Sequence, residues 1–239
     1  MIEEITIWFR ETPDEWSIIL RHLQLSFVPV LAAMTVAIPL GLFIGHTRRL
    51  EFVTVTLANF GRAIPSFAIL SLALIAVINF GITDFGFWST FVALFFLSLP
   101  PIVVNTYTGV KNVDRDLVES AIGQGLSGTQ VLRQVEVPLA APLMVAGIRT
   151  AAVQSVATAT LGALVAAGGL GDPIVLGFRA SDDGSLLAGA LLVAVLAIST
   201  ELVFALTERF LRPAGTGPVR KVKPITSTAD VRRPPEIPA

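Results

Sequence analysis

Three ionisable residues interrupt otherwise apolar stretches of the chain: Arg62, Arg149 and Glu201. Charged side chains are costly inside a bilayer, where they usually pair with one another or line a polar path. Each lies about ten residues from the cytoplasmic end of its predicted span, a depth of roughly 15 Å at the helical rise. We therefore expect Glu201 to pair with Arg149 or Arg62. The pair either braces the helices statically or closes the inner end of a pathway.

Polar or helix-breaking residues at other span positions are candidates for the lining of the same pathway. A proline within a span removes a helical hydrogen bond and can leave a carbonyl facing a cavity. For the polar members of the group, hydrogen bonding between helices is the alternative role. The candidates are Asn59, Pro65, Ser66, Asn105, Thr106 and Tyr107.

Hydrolytic chemistry is disfavoured by the surroundings of the candidate nucleophile. Residues 125–128 read GLSG and match the G-x-S-G of intramembrane serine proteases, a chemistry that needs the serine inside a span and hydrogen-bonded to a histidine base. Ser127 instead lies in a predicted cytoplasmic loop, and the two histidines, His22 and His46, lie at the ends of the first span. With no H-E-x-x-H motif and no cysteine, we expect neither a catalytic residue nor a metal site.

The elements that position these residues are apolar blocks. The chain is 53% hydrophobic and 15% charged, whereas soluble domains carry about a quarter charged residues. This composition predicts an all-α, polytopic membrane protein. Five blocks approach or exceed the roughly 20 residues that a span needs. They are about 22–45, 52–80, 88–110, 137–166 and 186–211. The second block is interrupted by GRAIPS, so six spans are the alternative. The block 137–166 is rich in alanine, glycine and threonine, which favours close helix packing.

Basic residues set the expected orientation. With the N-terminus outside and five spans, twelve of the seventeen Lys and Arg residues face the cytoplasm and three face outward. Residues 1–19 are then an extracytoplasmic segment, 111–137 a cytoplasmic loop, and 212–239 a cytoplasmic tail. The tail is rich in proline and basic residues, which predicts disorder and contact with anionic lipid. The net charge of -1 gives no reason to expect nucleic acid.

The predicted cytoplasmic loop contains residues that are typical of the starts and ends of helices. Asp116 with Glu119 resembles a capping box that starts a short helix ending near Gln124. Gly125 then supplies a left-handed turn, and Ser127 caps a second short helix that precedes Pro138. The pattern predicts two short helices at an angle outside the bilayer. Their apolar residues need a partner, and they are Leu117, Val118, Ala121, Ile122, Val131, Leu132 and Val135.

The same loop resembles that of permease subunits in binding-protein-dependent ABC importers, which reads E-A-A, three residues, G, nine residues, I-x-L-P. The matching positions are Glu119, Ser120, Ala121, Gly125, Val135, Val137 and Pro138. Serine replaces the middle alanine, and valines replace the isoleucine and leucine. Across about residues 20–210, segments such as ANFGRAIPSFAIL and LPPIVVNTYTGVKNVD look like the permeases for glycine betaine, choline, carnitine and proline.

The resemblance implies a type I ABC importer permease fold over residues 20–211, with about five helices per subunit and two subunits around one pathway. It implies that the loop docks into an ATP-hydrolysing partner. The chain has no phosphate-loop motif, so we expect no cofactor in it, with ATP and Mg bound by that partner.

Further implied partners are an extracytoplasmic substrate-binding protein, a second permease subunit (the same chain or a paralogue) and the lipid of the plasma (cell inner) membrane. A permease for another small polar solute is one alternative. An ATP-independent channel or secondary transporter is another.

Overall fold

In the computed structural model, residues 15–49, 52, 56 and 64–211 are described, and within these ranges the chain is helical, without a strand. The predicted all-α class is confirmed. The elements in chain order are α1 (Glu15–Thr47), α2 (Ser66–Asn79), α3 (Phe85–Lys111), α4 (Arg115–Gly123), α5 (Gly128–Val131), a π-helix (Leu132–Glu136), α6 (Val137–Thr158), a 3-10 helix (Ala159–Val165), α7 (Gly171–Ala180) and α8 (Asp183–Leu211).

Four helices of the described part are long and apolar enough to cross a membrane. They are α1, α3, the continuous helical stretch Gly128–Val165 and α8. A further apolar helix, α2, has 14 residues. The rest of the predicted span 52–80 lies mostly outside the described residues, as do 1–14 and 212–239. The count of five spans, the alternative of six, and the disorder of the tail therefore stay predictions.

The helix α3 is the centre of the bundle. It packs against α1, α2 and α6, and α6 in turn packs against α8. Large apolar side chains on the other faces of α1, α2 and α8 are exposed, for example Leu31, Ile75 and Val195. An apolar exterior of this extent is what a lipid-facing surface requires, because lipid solvates apolar side chains.

Small residues bring the helix backbones together. A Cβ added at Gly147 of α6 would lie 2.6 Å from the Asn105 Cβ of α3. One added at Gly41 of α1 would lie 2.7 Å from the Thr106 Cβ. Real Cβ atoms do not approach so closely, so α3 is clasped between α1 and α6 at distances that only glycine allows. The close packing predicted for the block 137–166 is confirmed.

Arg21 ties three elements together at the end of the bundle opposite to α4. Its guanidinium forms an ion pair of 2.9 Å with Asp84, the N-cap of α3, and its Nε donates to the Ala167 carbonyl at 2.9 Å. Ala167 belongs to the turn after the 3-10 helix, where Gly168 has a left-handed φ of +82°. This clasp holds the start of α1, the start of α3 and the α6–α7 connection in one register.

Candidate functional site

The loop predicted from its caps lies between α3 and α6, but its first helix begins differently from the prediction. Asp114, not Asp116, is the N-cap of α4, and its carboxylate accepts a hydrogen bond from the Asp116 N–H at 3.0 Å. Asp114 has an extended backbone, with φ -56° and ψ 127°, which leaves Asp116 inside the first turn. The capping box of Asp116 with Glu119 is therefore wrong. Two aspartates lie two positions apart, and the sequence did not distinguish them.

The end of α4 agrees with the prediction. Gly125 has φ +88°, its N–H donates to the Ile122 carbonyl at 2.9 Å, and the Leu126 N–H donates to the Ala121 carbonyl at 3.2 Å. This pair of bonds is a Schellman motif, which satisfies the last carbonyls of the helix. An added Cβ at Gly125 would meet nothing within 4 Å. Glycine is thus required here by backbone conformation and not by lack of space.

The second arm of the loop is not a separate short helix, which corrects the prediction. The Ser127 N–H donates to Gln130 at 2.8 Å, as the capping pattern predicts. From there, α5, the π-helix and α6 follow without a break. The Val137 N–H reaches back five residues to Leu132 and widens the turn just before Pro138. A regular turn would clash with the proline ring, so the wider turn lets the helix continue through the position where a break was expected.

Part of the predicted apolar face of the loop packs on the bundle and part does not. Ala121 is 7% exposed and Val131 1%, whereas Leu117 is 50% exposed and Ile122 56%. Among the motif positions, Glu119, Ser120 and Pro138 are exposed, and Val135 and Val137 are half-buried. The loop therefore presents two large apolar side chains on α4 that are about half-exposed in the described part of the chain.

Arg149 lies between two carboxylates of α8. It forms ion pairs with Glu201 at 3.0 Å and with Glu208 at 2.9 Å. The expected pairing of Arg149 with Glu201 is present, whereas Arg62 lies outside the described residues. Glu208 was missed, although it follows Glu201 by two helical turns and so lies on the same face of a helix. The role of this cluster in a pathway or gate stays a prediction.

The other pathway candidates are not brought together. Pro65 precedes α2 and does not kink a helix, and its carbonyl accepts from the N–H groups of Ala68 and Ile69. Its own carbonyl is therefore used by the first turn of α2. The carbonyl that a proline here would leave free belongs to residue 61, which lies outside the described residues, so a carbonyl facing a cavity stays a prediction. Ser66 borders a small, mainly apolar cleft between α2, α3 and the 3-10 helix. Asn59 lies outside the described residues.

The remaining candidates lie in the C-terminal half of α3. Asn105 donates to the Pro101 carbonyl of its own helix at 2.8 Å. Thr106 is fully buried, and its hydroxyl has no hydrogen-bond partner in the described part of the chain. Tyr107 is 4% exposed and accepts from Lys111 at 3.0 Å. Packing between helices is the environment of these three side chains.

A contact that sequence reasoning missed joins the loop to α1. The carboxylate of Glu136, in the π-helix, lies 2.5 Å from the Nδ1 of His46 in the last turn of α1. The Glu136 residue is 7% exposed. The two residues are 90 positions apart, so no local pattern indicated the pair. Within the described ranges, no group of three or more His, Cys, Asp and Glu side chains is arranged to hold a metal.

Comparison with known proteins identifies the family. Residues 37–213 match the family described as the binding-protein-dependent transport system inner membrane component. The chain is 40% identical to the carnitine transport permease protein OpuCD of Listeria monocytogenes, over 86% of this chain and 88% of the relative. It is 37% identical to the glycine betaine/carnitine/choline transport system permease protein OpuCB of Bacillus subtilis, over 84% and 90%. It is also 37% identical to the osmoprotectant import permease protein OsmY of Salmonella typhimurium, over 81% and 80%.

Solved structures agree on the fold. A chain of the inward-facing MetNI methionine ABC transporter matches with a TM-score of 0.71 at 19% identity, over 84% of this chain and 99% of that one. A chain of an amino acid ABC transporter matches with a TM-score of 0.66 at 18% identity, over 86% and 98%. The predicted type I importer permease fold is confirmed. The chain is thus an integral membrane protein that belongs to the binding-protein-dependent transport system inner membrane component family, in which the permease is a non-enzymatic transport subunit and the ATPase is a separate chain.

Proposed function

We propose that this chain is the permease subunit of an ATP-driven importer of osmoprotectants, such as glycine betaine, choline, carnitine or proline, in the plasma (cell inner) membrane. The observation that carries the proposal is the loop: a capped helix α4, a left-handed Gly125 and an arm continuous with α6. The substrate class is supported by the relatives, whose names specify carnitine, glycine betaine and choline. A related importer for another small polar solute is the alternative.

The loop is the docking element for the ATP-hydrolysing partner. Leu117 and Ile122 project from α4 and are about half-exposed, so they are suited to fill an apolar groove on that partner. Because α5, the π-helix and α6 are continuous, a displacement of the loop is transmitted to a membrane-spanning helix. One helix group then rocks against another, so that the pathway opens alternately to the outside and to the cytoplasm. In this proposal the N-terminus is outside and the loop is in the cytoplasm.

The partners and cofactors follow from the same proposal. The ATPase subunit binds ATP and Mg, and this chain binds no cofactor. An extracytoplasmic binding protein delivers the substrate, and a second permease, either another copy of this chain or a paralogue, completes the pathway. The cluster of Arg149, Glu201 and Glu208 belongs to the inner part of the bundle, where it either braces α6 against α8 or closes the pathway.

The coupling role is tested by Gly125→Asp. The substitution forces a side chain into a left-handed backbone, at a cost of about 1–2 kcal/mol, and adds a charge to the docking element. We expect the protein to reach the membrane at its normal level while ATP hydrolysis stimulated by the loaded binding protein is lost. The measurement is stimulated hydrolysis in the reconstituted complex. Stimulation that survives in this variant would contradict the proposal.

Gly81→Asp is the matched control. Gly81 also has a left-handed φ, +66°, and an added Cβ would also meet nothing within 4 Å. It lies at the other end of α3, in the connection between α2 and α3. The same strain and the same charge are thus introduced far from the loop. We expect stimulated hydrolysis to persist in this variant, because Gly81 lies at the opposite end of α3 from the loop that is proposed to dock the ATPase.

The substrate class is tested by uptake of radiolabelled glycine betaine, choline, carnitine and proline at high osmolarity, in cells with and without this chain. We expect uptake of at least one of the four to depend on it. Absence of any such dependence, together with ATP-dependent uptake of another solute, would favour the alternative.

A further inference from the structure

The joint between the loop and α6 is a π-helix, Leu132–Glu136. Single π-turns within α-helices are rare and are frequently found at functional sites. The wider turn interrupts the regular hydrogen-bond ladder of the α-helix. The joint lies between the arm that begins at Gly128 and the membrane-spanning part of α6. A displacement of the loop must pass through this turn. Unless the joint is held from outside, part of the displacement is absorbed by the turn itself.

Glu136 is the point at which the joint is held. Its side chain is 9% exposed, and its carboxylate lies 2.5 Å from the His46 Nδ1. A buried carboxylate is strongly unfavourable unless a partner hydrogen-bonds to it. His46 supplies that partner from α1. The imidazole also borders the start of the arm, because an added Cβ at Gly128 would lie 3.5 Å from its Nε2.

The α1 end of the contact is anchored in the bundle. Gly45, next to His46, packs so closely on α3 that an added Cβ would lie 2.6 Å from the Val110 Cβ. One turn earlier, Gly41 makes the same kind of approach to Thr106. His46 is therefore carried by a helix that is locked to α3. A force on Glu136 reaches α1 and α3 through the imidazole.

We propose that the His46–Glu136 pair is a latch that transmits movement of the loop to α1 and α3, so that these helices move together with α6. This inference rests on the proposed coupling function of the loop. His46 and Glu136 are positioning residues: they touch neither nucleotide nor substrate. Without the pair, the π-turn flexes, α6 moves alone, and ATP is hydrolysed without transport.

The test uses the complete transporter in proteoliposomes, with the variants His46→Ala and Glu136→Ala. Two quantities are measured: ATP hydrolysis stimulated by the loaded binding protein, and uptake of the quaternary amine that the wild-type complex transports. We expect stimulated hydrolysis to persist, while uptake per ATP falls about five-fold or more in each variant. The double variant is expected to be no worse than either single variant, since both remove the same contact.

The control for local disturbance is Thr47→Ala. Thr47 is next to His46, is exposed, and bonds to the Phe43 carbonyl of its own helix. We expect its uptake per ATP to match that of the wild type. Exchange of the pair, His46→Glu with Glu136→His, is expected to restore most of the uptake per ATP, which a general packing defect would not allow. If the single variants fail to assemble, the exchanged pair decides: coupled transport supports the latch, and hydrolysis without transport overturns it.

Wild-type uptake per ATP in both single variants would overturn the latch. In that case Gly125→Asp still abolishes stimulated hydrolysis, and the coupling function of the loop stands. Failure of the proposed function has a different signature: the wild-type complex itself then shows no ATP-dependent uptake, or Gly125→Asp leaves stimulation intact.

Discussion

Arg149 shares its guanidinium between two carboxylates that are unequally buried. The side chain of Glu208 is 16% exposed, whereas that of Glu201 is 42% exposed. A charge removed from solvent loses more when its partner is lost, because little water is available to replace the ion pair. In detergent, the pair with the more accessible Glu201 is expected to contribute less. The two carboxylates therefore differ in their contribution to holding α8 against α6.

We expect Glu208→Gln to destabilise the protein by about 1–2 kcal/mol, because Arg149 keeps its pair with Glu201, and Glu201→Gln by about 1 kcal/mol or less. The measurement is thermal unfolding of the purified protein in detergent, with both variants compared in the same buffer. Equal losses, or a larger loss for Glu201→Gln, would show that the exposed carboxylate carries the bracing. Transport activity of the more stable variant, Glu201→Gln, then separates bracing from gating: a static brace leaves it unchanged.

At the scale of the element, α4 is a nine-residue helix, too short to be stable without its caps. Asp114 holds its first turn and the Schellman bonds at Gly125 hold its last. Both ends are fixed by local backbone geometry, which suits an element that must keep its shape while it presents Leu117 and Ile122 to another protein. A frayed α4 would lose the relative positions of these two side chains.

The start of α4 gives a direct comparison of two neighbouring aspartates. Asp114→Ala removes the N-cap, and we expect a loss of about 1 kcal/mol. Asp116→Ala removes only a favourable charge in the first turn, and we expect a loss of about 0.3–0.5 kcal/mol. Hydrogen exchange of the amides in residues 115–123 measures both. Exchange is expected to accelerate more for Asp114→Ala, and the reverse order would restore Asp116 as the cap.

At the scale of the whole molecule, the two ends of the bundle differ in character. One end carries the loop and the His46–Glu136 pair. The other carries the Arg21 clasp, which joins α1, α3 and the α6–α7 connection. The proposed mechanism assigns the first end to the cytoplasm, where ATP is available. The orientation of the whole chain follows from that assignment.

The orientation in the membrane can be measured by labelling single introduced cysteines, because the chain contains no cysteine of its own. We expect the variant Ser181→Cys, in the turn between α7 and α8, to react with a membrane-impermeant maleimide in intact cells. Ser120→Cys, on α4, is expected to react only after permeabilisation. Both serines are exposed, so access to each depends on the side of the membrane. The opposite labelling pattern would invert the topology and remove the loop from the cytoplasm.

Sequence alone determined the features that depend on neighbouring residues. Apolar blocks predicted the helices, the glycine at position 125 predicted the left-handed end of α4, and the small residues of α6 predicted close packing. One long-range feature was also accessible: Arg149 and Glu201 were paired because isolated charges in apolar spans require partners. The spacing of the loop motif indicated the permease family, and the comparison with known families agrees with it.

Tertiary structure alone decided how the loop joins the bundle. The π-turn before Pro138 replaced a predicted helix break, because the wider turn accommodates the proline within a continuous helix. The contact of His46 with Glu136 depends on two helices meeting 90 positions apart. Neither residue differs, by type or spacing, from an ordinary polar residue at a helix end. Local preferences constrain each helix separately, whereas the pairs that connect helices arise only when the bundle is packed.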